Sequence, residues 1–334
     1  METKVVKFEI GKLLAVVVVV LAIVAGAAAY LNSSYFKGLI ILQRPATTFA
    51  EAVNGFTVDL NNNVDFNIAK SDFRTDINTL VKSGVINAST STVDSVFTYL
   101  NTFSSKTSTV VAANNLIVAS GGNFSGYQKT LAYQLIKEKI TSDVANIKSG
   151  TNLSTSVSSL STDVAEAQLN QGVSSVNVTL TSDIANRAVQ KGESATMNTA
   201  LDKLNNSISG GSTSPDTAAT TFNSDVKSIV NKIAKNEISA KLIAVSADLA
   251  AGGNNQSSLL GELNLVLSDS IYFATPLPVN RDRIIALVKL SKNSELKTYF
   301  DIANKDLIGG TDRVLVITNL NNSISKLAAG YKVP

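Results

Sequence analysis

The chain of 334 residues has no cysteine, no histidine and no tryptophan, and only 16% of it is charged, against about 25% in an ordinary soluble domain. Without imidazole or thiol there is no Ser-His-Asp triad, no cysteine nucleophile, no zinc site of the His or Cys kind, no haem or iron–sulfur ligation and no disulfide. Catalysis would have to rest on Asp, Glu, Lys, Ser, Thr or Tyr, and the sequence predicts a protein that is not an enzyme. Phosphate-cradling loops of the Gly-x4-Gly-Lys-Ser/Thr and Gly-x-Gly-x-x-Gly kinds are also missing, so no nucleotide cofactor is expected. Its 29 Lys and Arg against 26 Asp and Glu leave a net charge of +3. Both signs are scattered, and without a basic stripe interleaved with aromatics nucleic acid is not an expected partner. A hydrophobic fraction of 44% suffices for a real core and argues against wholesale disorder.

One long apolar run is present. From Leu13 to Ala29 the chain reads LLAVVVVVLAIVAGAAA, preceded by Lys4, Lys7 and Lys12 and followed by Tyr30. As a helix rising 1.5 Å per residue, this run covers most of a bilayer core of about 30 Å, with the tyrosine at the far interface. The leading lysines predict the N-terminus inside and the body outside. A cleavable secretory signal fits the same charged, apolar and small-residue order, the small residues being Gly26 to Ala29. Either reading exports the body, as a single-pass membrane protein or as a secreted one. The architecture is analogous to type IV pilin-like filament subunits over the leader and apolar run alone, and no residue role is carried over from it.

Beyond this segment the sequence predicts a mainly α fold with a small β element. Residues 36–42 (FKGLIIL) read as a strand. Phe56, Val58 and Leu60, then Val64, Phe66 and Ile68, alternate around Asn61-Asn62-Asn63 like a hairpin. Residues 110–118 read as another short pair turning at Asn114-Asn115. Helical stripes follow: Leu131, Leu135, Ile136, Ile140, Val144 and Ile147, then Val226, Ile229, Val230, Ile233, Ile238, Leu242, Val245 and Leu249 up to Gly252-Gly253. Leu259, Leu260, Leu263, Val266 and Leu267 form a further stripe before Pro276 and Pro278. Two helices are expected between Arg281 and Leu307, ended by Gly309-Gly310, and a last one from a Thr311 cap to about Gly330. The small, polar stretch 207–221 (SISGGSTSPDTAATT) is the expected linker. The division is then 1–31 anchor or signal, 32–206 with the β element and helical repeats, 207–221 linker and 222–334 helical.

A short repeat stands out. TSDVA at Thr141, STDVA at Ser161 and TSDIA at Thr181 are 20 residues apart, with Gly172 and Gly192 equivalent in the later two copies. Each copy reads as a helix start, with a Ser or Thr cap, Asp143, Asp163 or Asp183 at the helix N-terminus and an apolar residue entering the core. Stacked units of this kind build stalks and assembly surfaces. The bland alternative is that helix caps resemble one another in a chain this rich in Ser and Thr.

Few residues invite chemistry. Asp59, Asn61, Asn63, Asp65 and Asn67 match the first ligands of a calcium loop, but Val64 stands where it must turn and Lys70 where its last acid belongs, so hairpin polarity accounts for them without a metal. Ser-x-x-Lys occurs at Ser34/Lys37, Ser224/Lys227, Ser294/Lys297 and Ser323/Lys326, lacking the companion motifs of a serine–lysine enzyme. Glu262 with Asp269, or Asp301 with Asp306, could in principle pair for glycoside hydrolysis, though solvated helix faces explain them far better. Asn-x-Ser/Thr sequons at Asn32, Asn87, Asn123, Asn152, Asn177, Asn205, Asn255 and Asn321 suit an exterior surface, at about the frequency chance allows. No catalytic, cofactor or metal residue is assigned. The expectation is a membrane-anchored, extracytoplasmic structural protein of a cell envelope, filament or virion, partnered by lipid, by itself or by other envelope proteins. The alternative is a secreted or anchored binding protein for a small ligand or sugar, for which aromatic content of 6% is low.

Overall fold

The computed structural model describes residues 45–334. Among these the chain is mainly helical and has no strand. The helices are α1 (Phe49–Asn61), α2 (Phe66–Lys82), α3 (Thr90–Leu100), α4 (Thr107–Ala119), α5 (Phe124–Ser149), α6 (Leu153–Gln171), α7 (Ser182–Gln190), α8 (Ser194–Gly210), α9 (Pro215–Ala250), α10 (Gln256–Leu267), α11 (Arg281–Lys289), α12 (Asn293–Ile308) and α13 (Arg313–Gly330). They fall into two compact units that divide between Leu135 and Ile136, within the sequence of α5.

In the first unit α1 packs against α2 and α4. Ala52, Val53, Phe56 and Leu60 recur at helical spacing on α1, as do Phe66, Ala69, Phe73, Ile77 and Leu80 on α2, and all are buried. Phe56 stacks on Phe73 with centroids 4.8 Å apart, and Phe73 meets Tyr127 edge-on at 5.8 Å. Such pairs add about 1 kcal/mol each beyond the area they bury. Within this apolar core, the Tyr127 hydroxyl donates to Asn114 Oδ1, Asn114 Nδ2 donates to Thr57 Oγ1 at 2.9 Å, and Thr57 donates to the Val53 carbonyl at 2.8 Å. The chain of bonds satisfies polar groups whose burial alone would cost several kcal/mol.

These helices stand where the hairpin 56–68 and the short pair 110–118 are expected. Residues 56–68 form the end of α1, a turn with Asn63 left-handed at φ 57°, and the start of α2, whose cap is Asp65. Phe56 and Leu60 face the core one turn apart while Val58 is 45% exposed, which is the signature of a helix and not of a pleat. Residues 110–118 lie within α4, where Asn114 is a buried helical residue and not a turn. The predicted strand 36–42 lies outside the described residues. So does the apolar run 13–29, and no described helix is long and apolar enough to cross a membrane.

The second unit is organised around α9, at 36 residues about 54 Å long. Pro215 occupies its first turn, where a missing N–H costs nothing, and its predicted stripe from Val226 to Leu249 is buried throughout. Helices α6, α7, α8, α10 and α12 pack against it, and α13 packs on α11 and α12. The 207–221 stretch is a tight corner between packed helices, since 207–210 close α8, Gly211 is left-handed at φ 66°, and α9 begins four residues later. The last helix starts as expected, but Asp312 caps it and not Thr311, accepting from the Val314 and Leu315 N–H groups. Of the three repeats only the third begins a helix: Thr181 caps α7, whereas Thr141 and Ser161 lie inside α5 and α6. Gly172 ends α6 left-handed, and Gly192 follows α7 at φ 75°.

Three amide side chains fasten the unit's extended stretches. Gln168, 1% exposed on α6, takes both backbone groups of Val176, accepting from its N–H at 2.8 Å and donating to its carbonyl at 2.9 Å. Asn223 on α9 does the same for the Thr179 N–H and the Asn177 carbonyl. Asn264 on α10 does so for Val279, at 2.8 and 3.0 Å. Each supplies the donor and acceptor that a neighbouring strand would otherwise offer.

Candidate functional site

A group of charged side chains in the second unit gathers where α7, α9 and the loop 268–280 meet. Arg187, on α7, bridges two carboxylates, donating from Nη2 to Asp269 Oδ2 at 2.6 Å and from Nη1 to Glu237 Oε2 at 3.4 Å. Its guanidinium lies 5.5 Å over the Tyr272 ring. Glu237, on α9, also receives Lys191, which follows the last residue of α7, and the Tyr272 hydroxyl. Burial pushes the Glu237 carboxyl up, but the bonds from Lys191 and Tyr272 and the charges of Lys191 and Arg187 outweigh it and hold the group below its ordinary range. Burial and the bond to Glu237 raise the Tyr272 hydroxyl. Arg313, at the start of α13, extends the cluster by donating to the Tyr272 carbonyl at 2.8 Å and to Asn231 at 2.6 Å.

A cavity of about 280 Å³ adjoins it, lined by Asn231, Lys235, Leu307 and residues 310–313. Lys235 donates to the Ile308 carbonyl at 2.8 Å, closing the C-terminal end of α12. A second groove, of about 320 Å³, has Ile147, Leu153, Ala185, Val189 and Met197 among its apolar lining, with Lys148 and Asn198 also on its wall. In the ionic cluster each charged group named is answered by an opposite charge or a hydrogen bond. Chemically this is a fastening, with no unpaired nucleophile beside a base.

The residues singled out from sequence are mostly engaged elsewhere. Asp59 is buried in α1, Asn63 forms the turn, Asp65 caps α2, and Asn67 accepts from Lys70 at 3.1 Å, so the calcium-like series is divided over two helices and a turn. Among the described residues no group of three or more acidic side chains is placed to hold a metal ion. Ser34/Lys37 lies outside the described residues. The other Ser-x-x-Lys pairs sit on α9, α12 and α13, where Lys227 and Lys326 are exposed and Lys297 donates to Asp301, so the desolvated lysine of such a dyad is not formed. Glu262 is held by Lys241 at 2.6 Å and Asp269 by Arg187, while Asp301 accepts from Ser246 and Lys297. The carboxyl groups that do meet are Asp143 and Asp163, which sequence periodicity marks only as helix starts.

Burial, with Asp72 and Asp76 nearby, pushes Asp59 up to about 6 from an ordinary 3.8. Because the folded state holds this proton more tightly than the unfolded chain, stability falls as pH rises from about 4 through about 6. Asp59→Asn is therefore expected to be more stable than the parent at pH 7 and similar to it near pH 4, which denaturant unfolding at the two pH values checks.

No family model matches the chain, and neither a curated protein nor a solved structure matches it.

Proposed function

We propose that the protein is a membrane-anchored, outward-facing structural subunit whose helical body assembles laterally with copies of itself or with other envelope proteins. The observation that carries this reading is the uncharged run from Leu13 to Ala29 behind three lysines, which by the positive-inside bias retains the N-terminus and exports the rest. The character of the described body agrees with it. Its charged clusters are spent on joining helices, and its surface shows leucines at 82% (Leu169) and 75% (Leu265) exposure. Covering a fully exposed leucine side chain is worth roughly 2 kcal/mol, a gain that lateral contact realises.

Sedimentation of the full chain, extracted from membranes in mild detergent, tests the assembly. Particles larger than one chain that shrink in a Leu169→Glu/Leu265→Glu variant are the expected result. A parent chain that stays monomeric at every concentration contradicts it. The binding-module alternative draws on the groove lined by Ile147, Leu153 and Met197, whose 320 Å³ stands at the lower end of the range for small-ligand pockets. A monomeric body that gains thermal stability from a soluble sugar or other small ligand would favour that alternative.

A further inference from the structure

Helices α5 and α6 fold back on each other through the turn at 150–152, and this brings two of the repeated aspartates face to face. Asp163 is 7% exposed. The Oδ2 atom of Asp143 is sealed from water and receives no N–H or O–H from any described residue. The Asp163 carboxyl is the hydrogen-bonding neighbour of the Asp143 side chain. Two ionised carboxylates have only acceptors to offer each other, and side by side they repel; a carboxylic acid beside a carboxylate forms a short, charge-assisted bond instead. The Nζ of Lys139, one turn before Asp143, lies 3.4 Å from Asp163 Oδ1 and 3.3 Å from Glu166 Oε2.

We propose that Asp143 and Asp163 hold one proton between them, and that this proton is the catch of an α5–α6 clasp which closes in acid and loosens in alkali. The charged groups facing Asp143 are Asp163 from α6 and Lys139 from its own helix, with Glu166 behind Lys139. Burial first, then the hydrogen bond and charge of Asp163, push Asp143 up to about 7 from 3.8, against an opposing pull from Lys139. The folded state thus binds a proton that the unfolded chain has released, and the clasp's contribution is full below about pH 4 and is lost as pH rises through about 7. On the outward-facing body proposed above, this catch reads the external medium; the pair itself is independent of that reading.

The test uses the full chain in detergent, in an Asp59→Asn/Asp76→Asn background so that the other raised carboxyls are silent. Thermal midpoints are compared with and without Asp143→Asn, whose amide keeps the donor and cannot lose it. The background protein is expected to lose stability between about pH 5 and pH 8.5, and Asp143→Asn to remove that loss and to be the more stable protein at the alkaline end. Amide exchange in α5 and α6 should quicken with pH in the background protein alone. Parallel pH profiles for the two proteins overturn the proposal. Should Asp143→Asn fail to fold, the infrared carbonyl band of a protonated carboxyl decides. Seen near pH 6 in the background protein and fading by about pH 8.5, it supports the shared proton, and its absence near pH 6 overturns it.

Discussion

Gln168→Leu is expected to lower the unfolding free energy of the second unit by about 2–3 kcal/mol. The leucine fills a similar space but leaves the Val176 N–H and carbonyl without their partners at 2.8 and 2.9 Å, and each partly buried backbone group left unpaired costs about 1–3 kcal/mol. The loss shows as a fall in melting temperature on the order of 5 °C. Gln171→Leu, three residues on and exposed, should change stability by less than about 0.5 kcal/mol. The comparison isolates the backbone pairing from any general intolerance of α6 to leucine. If the two variants melt together, Gln168 is not the fastening described.

Glu237→Ala should cost about 3 kcal/mol near neutral pH, because it leaves Arg187, Lys191 and the Tyr272 hydroxyl around a site with one carboxylate, Asp269, where there were two. The effect carries a pH signature. The folded Glu237 sits below its ordinary 4.5, so its contribution is present above about 4.5 and is lost as pH falls through the lower folded value. The gap between Glu237→Ala and the parent, measured by denaturant unfolding, should therefore narrow in acid. A gap that is constant from neutral pH into acid would mean that lost packing, and not charge, is the cause. In the opposite direction, Asp59 and Asp143 favour acid, so the acid limb of the parent's stability profile is the sum of opposed contributions.

The long helices were legible because burial there follows one period. The stripe from Val226 to Leu249 repeats often enough that only a helix brings all of it to one side. Residues 56–68 were ambiguous for a physical reason. Phe56, Leu60, Val64 and Phe66 satisfy both a pleat and two short helices, and Ala52 and Val53 before them, with Phe73, Ile77 and Leu80 after, decide for the helices. Small buried alanines such as Ala52 carry little weight in an alternation pattern and much in close helix packing. The repeated pentapeptide misleads through the double use of hydroxyls. Thr141 bonds back to the Lys137 carbonyl at 2.9 Å and so sits comfortably inside a helix, whereas Thr181 follows an extended stretch tied down by Gln168 and Asn223 and becomes a true cap.

The ionic cluster lay beyond sequence reading for a different reason. Arg187, Glu237 and Asp269 are 50 and 82 residues apart along the chain, and a charge's partner at that separation is set by how α7 and α9 pack. The same holds for Asp143 and Asp163. Their spacing recorded a similarity between two helices, but only the fold-back at 150–152 turns it into contact. What the proposed function draws from sequence is the apolar run from Leu13 to Ala29 behind three lysines.

That run is also where the account is most open to contradiction. Because the chain has no cysteine, a single Ser224→Cys substitution, at an exposed position on α9, gives a site with no background. Reaction of intact cells with a membrane-impermeant maleimide is expected to label this cysteine in full, with no increase on lysis. Labelling that appears only after the membrane is opened would place the helical body inside and contradict the outward-facing assembly.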